Sequence, residues 1–123
     1  MRSLKVLGVL AICFLALTFA VAKQNQFGVA DSRNVSFTAP TLVGDVILPA
    51  GEYKVIHTME GENHIMVFKQ VNAKKPAEAK IKCQLVPLTQ KAQRDEQSFV
   101  FNAANQRVLH SMIFKGDSAQ HVF

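Results

Sequence analysis

Three short motifs hold the residue types that could do chemistry: His57-Thr58-Met59, His64-Ile65-Met66 and His110-Ser111-Met112. On an extended strand, residues i and i+2 project from one face, so each motif would present an imidazole beside a thioether. That pairing of borderline nitrogen with soft sulfur suits Cu(I). Apart from Met1, every methionine lies in such a motif, as do three of the four histidines. His57, Met59, His64 and Met66 are the candidate metal ligands, His110 and Met112 are further ones, and copper is the candidate cofactor. Two ordinary facts weigh against it. Methionine is a routine core filler, and a strand histidine commonly serves as a hydrogen-bonded structural residue. The first expectation is therefore a chain without a cofactor, and copper is the alternative.

Catalytic patterns are missing from the sequence. There is no Gly-x-Ser-x-Gly, no His-Glu-x-x-His and no glycine-rich phosphate loop. The acid pairs Asp95-Glu96 and Glu60/Glu62 fall in polar or turn segments and are expected in solvent. Tyr53 and Phe68 could line a groove, but core packing accounts for them as well. Asn34-Val35-Ser36 has the letters of a glycosylation sequon, which has no meaning in a bacterial host. No residue is expected to be catalytic, although a small β-barrel hydrolase or isomerase stands as a third alternative.

Residues 1–22 read as a secretory signal peptide. Arg2 and Lys5 give the basic start, Val6 to Phe19 is an uncharged apolar run, and Ala20-Val21-Ala22 supplies small residues for cleavage. A membrane span needs about 20 apolar residues, so no stable span is expected once the segment is cut. The expected location is periplasmic or extracellular. Residues 23–123 then form a single domain. The loss of Arg2 and Lys5 lowers the formal net charge of +5 by two. No concentrated basic patch with interleaved aromatics occurs, so nucleic acid is not an expected partner. Cys13 leaves with the signal, which leaves Cys83 alone and rules out an internal disulfide. Its alternation with Ile81 and Leu85 predicts a buried thiol.

Positioning falls to strands, because residues 23–123 alternate with period two and show no helical stripe. Arg33 to Thr38 places Val35 and Phe37 on one face. Thr41 to Leu48 is a second apolar run, in which Gly44-Asp45 is expected to be a bulge or kink. Pro49-Ala50-Gly51 is a turn. Glu52 to Thr58 and His64 to Gln70 form a hairpin. A two-residue loop at Glu60-Gly61 would pair His57 with His64, and a four-residue loop would shift the register by two. Either register keeps Tyr53, Val55, His57, Met66, Phe68 and His64 on one face. Ala77 to Leu85 is a half-buried strand ended by Pro87. Ser98 to Asn102 and Arg107 to Lys115 make another hairpin, and Gln120 to Phe123 adds a short final strand. The expected fold is all-β, an antiparallel β-sandwich or small β-barrel of seven to eight short strands preceded by the signal-peptide helix.

Val46-Ile47-Leu48-Pro49-Ala50-Gly51-Glu52-Tyr53-Lys54-Val55 resembles the strand–LPAGxYxV–strand segment of small exported bacterial proteins of unknown function, abundant in acidobacteria. The resemblance implies an all-β exported domain and supplies no catalytic residue. Composition, compartment and resemblance together lead to an exported, non-enzymatic β-domain with a binding or cell-envelope structural role. Its expected partner is a protein or an envelope component. The alternative is a periplasmic copper-binding module using the His-x-Met pairs.

Overall fold

Val35 and Phe37 are buried, and Asn34 and Ser36, which alternate with them, are exposed. Such alternation makes a strand with one wet face, and it recurs along most of the chain. The computed structural model describes residues 27–123; the expected signal peptide and its cleavage site lie outside them. In order, the strands are β1 (Ser32–Phe37), β2 (Thr41–Val43), β3 (Val46–Leu48), β4 (Gly51–Glu60), β5 (Asn63–Gln70), β6 (Glu78–Pro87), β7 (Glu96–Phe101), β8 (Arg107–Ile113) and β9 (Ala119–Val122). They join in one open sheet of order β1-β4-β5-β6-β9-β8-β2-β3, with β7 also paired to β8. No helix occurs among the described residues. The all-β expectation holds, and the strand count is nine where seven or eight were expected.

The extra strand comes from Thr41 to Leu48. Gly44-Asp45 is a hairpin turn and not a bulge: Val43 pairs with Val46, Leu42 with Ile47 and Thr41 with Leu48. Gly44 has φ +61°, a left-handed conformation that glycine adopts at no steric cost. The run therefore doubles back. Through Leu42, which pairs with Val108, β2 lies parallel to β8.

One core gathers residues from both ends of the sheet. Val35, Phe37, Tyr53, Val55, Met66 and Phe68 meet Val43, Leu48, Leu109 and Met112. The Phe37 ring lies 5.4 Å from Tyr53 and 6.1 Å from Phe68, centroid to centroid. Burial of each such side chain contributes about 1.5–3 kcal/mol. Tyr53 is fully buried, and its hydroxyl donates to the Pro49 carbonyl at 2.6 Å. The Pro49-Ala50-Gly51 turn thus supplies the acceptor that lets a phenol sit in the core.

β8 contains a bulge. Ser98 pairs with Ser111 but Phe99 pairs with Leu109, so His110 is an extra residue on its strand. A bulge reverses the alternation beyond it. Leu109 and Met112 are both buried for this reason, although they are three positions apart.

Candidate functional site

The β4–β5 hairpin closes through Gly61-Glu62, with Gly61 at φ +63°. Its register pairs Met59 with His64, His57 with Met66 and Val55 with Phe68. This is the register of the four-residue loop, tightened by one further pair, Glu60 with Asn63. Directly opposed residues share a face with Cβ atoms about 4.5–5.5 Å apart. Two histidines and two methionines therefore form a square in which each histidine faces a methionine and the histidines occupy one diagonal.

Along that diagonal, His57 Nε2 and His64 Nδ1 are 3.0 Å apart. Their ring centroids are 5.1 Å apart with planes inclined by 26°, so the rings meet edge to edge, and Phe27 packs edge-on against His64 at 4.6 Å and His57 at 6.0 Å. A contact of this length between ring nitrogens needs one to donate and the other to accept. Burial, the neighbouring His64 and, in opposition, Asp31 act on His57, with a net lowering of its pKa. The accessibility of the square is graded: Met66 is 2% exposed, His57 7% and Met59 40%.

Two residues not among the sequence candidates extend this cluster. Cys83 lies opposite His64 on β6, and its Sγ is 3.8 Å from His121 Nδ1. The His121 ring stands 6.0 Å from His57. His121 is 1% exposed, and burial with its histidine neighbours lowers its pKa to about 4. Cys83 is buried as expected, and desolvation pushes its thiol up to about 11. His121 carries one sequence signal, a strand position alternating with the buried Ala119; its nearness to Cys83 carries none. A cleft of about 490 Å³ opens beside His64 and Cys83, bounded by Lys82 and Phe123.

The third His-x-Met motif is divided. The bulge turns His110 to solvent, and Met112 is fully buried. His110 and Met112 therefore do not share a face. Among the described residues, no group of three or more His, Cys, Asp or Glu is arranged to hold a metal ion.

A second feature lies where the two ends of the sheet approach one another. β1 is paired on one side by β4, and β7 on one side by β8. Their other edges face each other, because Gln97 Nε2 donates to the Ser36 carbonyl at 3.3 Å. A cleft of about 540 Å³ separates them, with Ser36 and Gln97 on its walls and Tyr53 and Phe114 among its lining residues. Glu52, Asp95 and Glu96 line it, and no Lys or Arg does. Asp95 accepts the Lys115 amide at 2.7 Å, and Glu96 pairs with Arg94. Near one end, Arg33 binds Asp117 at 2.5 Å and stands over the Phe114 ring. Asp117 is fully buried, and desolvation raises its pKa despite the guanidinium.

No protein-family model, curated protein or solved structure matches this chain.

Proposed function

We propose that the chain is an exported β-domain that works by binding rather than by catalysis, and that it takes up a short extended segment of another exported protein between β1 and β7. One observation carries this reading: two strand edges without a backbone partner face each other across an acidic cleft. An open edge presents a row of N–H and C=O groups, and an extended peptide satisfies them by adding a strand. The carboxylates of Glu52, Asp95 and Glu96 favour a segment with basic side chains. The same seam supports viewing the sheet as a barrel left open at one place, which the guest strand would help to close. Export rests on the pattern of residues 1–22, and the absence of recognisable catalytic motifs supports the non-enzymatic part.

The test is amide hydrogen exchange on the purified protein, with and without an octapeptide of alternating lysine and valine. Added protection is expected at the outward amides of β1 and β7. It should weaken in Glu52→Gln/Glu96→Gln, and a glutamate–valine octapeptide should give none. Equal protection by both peptides, or protection confined to other strands, would refute strand addition at this seam.

A further inference from the structure

We infer that the His57–Met59–His64–Met66 square on the β4–β5 hairpin is a binding site for Cu(I), separate from the β1–β7 seam. The register carries the argument. A histidine faces a methionine at two successive pairs, with the order reversed, so two imidazoles and two thioethers project from one patch of one face. Thioether sulfur selects soft Cu(I) over the harder divalent ions, and imidazole accompanies it readily.

The spacing of the histidines agrees. Metal–imidazole bonds of about 2.0–2.1 Å at a tetrahedral angle place two nitrogens about 3.3 Å apart. His57 Nε2 and His64 Nδ1 stand at 3.0 Å, so a small opening of the pair admits an ion between them. The ring that donates the shared N–H moves that proton to its other nitrogen. This tautomer shift releases no proton overall, and copper keeps its oxidation state.

Access and shielding are both provided. Met59 at 40% exposure and the cleft beside His64 give an entry route, while Met66 and the Phe27 ring close the inner side. Among the described residues no group of three or more His, Cys, Asp or Glu is arranged to hold a metal, and this set differs from such groups because two of its donors are methionines, which suit Cu(I). Cys83, opposite His64, and His121, whose ring stands 6.0 Å from His57, are the neighbouring side chains that could compete for the ion.

The experiment is a competition against a chromophoric Cu(I) chelator under reducing conditions. It uses the full chain with Cys13→Ser and Cys83→Ser, so that no thiol takes the ion. One Cu(I) per chain is expected. His64→Gln and Met59→Leu should each weaken binding about tenfold or more. His110→Gln should leave it unchanged, since that residue is exposed on β8, which β9 and β6 separate from the hairpin. Circular dichroism verifies the fold of each variant. X-ray absorption of the loaded parent gives a readout free of substitutions, with mixed nitrogen and sulfur neighbours expected. Failure to hold copper against the chelator, binding insensitive to both His64→Gln and Met59→Leu, or an absorption edge without sulfur would each overturn the site. None of these results depends on peptide binding at the seam.

Discussion

β5 is hydrogen-bonded to β4 along one edge and to β6 along the other, whereas β1 and β7 each satisfy one edge and turn the second toward a cleft. The hairpin therefore spends its special residues on side-chain chemistry inside a closed ladder. The seam carries ordinary side chains around backbone groups that lack a ladder partner. Polar burial differs in kind as well. Near the hairpin, the buried polar groups are imidazoles that can remain neutral; at the seam, a carboxylate is buried and has to be matched by a guanidinium. The two regions should thus respond to different insults: the seam to loss of a charge partner, the hairpin to protonation.

The largest expected effect is at the seam. Arg33→Met removes the cation from Asp117, which is fully buried, and also the cation over Phe114. Removing one member of a buried pair costs about 3–5 kcal/mol. Arg33 is 30% exposed, which places the expected loss at the lower end. Urea unfolding measures it. In Arg33→Met/Asp117→Leu no charge is left stranded, and much of the loss should be recovered. A single variant as stable as the parent would mean that the pair does not hold β1 to the turn before β9.

Acid should act on the hairpin side. An unperturbed histidine has a pKa of about 6.5, and His121 in the fold has one of about 4. Between those values the unfolded chain takes a proton that the native chain refuses. Stability therefore falls as pH drops below about 6.5 and levels off below about 4. The shift corresponds to about 3 kcal/mol across the window. His57, whose pKa is also lowered, acts in the same direction. Comparing urea midpoints at neutral and acidic pH for the parent and for His121→Leu isolates this contribution from titrating carboxylates. A pH dependence unchanged in the variant would show that His121 binds its proton as readily in the fold as in the unfolded chain.

What was legible in the sequence follows from the period of a strand. The facing of His57, Met59, His64 and Met66 was readable because a register shift of two preserves the face, so ignorance of the loop did no harm. An insertion of one does the opposite. The bulge at His110 separates two residues whose spacing suggests a shared face, and the sequence around His110 announces no bulge. Thr41 to Leu48 was misread because strands of three residues are too short to display a period, and Gly44-Asp45 suits a turn as well as a bulge. The meeting of Cys83 with His121 joins β6 to β9, a long-range pairing that local patterns do not encode. The seam was illegible for the same reason: it is made by two edges that do not pair.

The smallest effect separates the two regions at their turns. The β4–β5 turn places Gly61 at φ +63°, and the β7–β8 turn places Asn105 at φ +59°. A Cβ on Gly61 would meet no atom within 4 Å, so Gly61→Ala introduces no clash. Its cost is the left-handed backbone alone, about 1 kcal/mol. Gly61→Asn should cost less, because asparagine tolerates this conformation and already adopts it at 105. The chemical shifts of the His57 and His64 rings provide the second measurement. If the turn only caps a register fixed by the apolar pairs behind it, Gly61→Ala lowers stability by this amount and leaves both rings in contact. If the loss exceeds about 2 kcal/mol and the ring signals move, the register is set from the turn inward. The histidine diagonal would then owe its geometry to Gly61 rather than to the core beneath it.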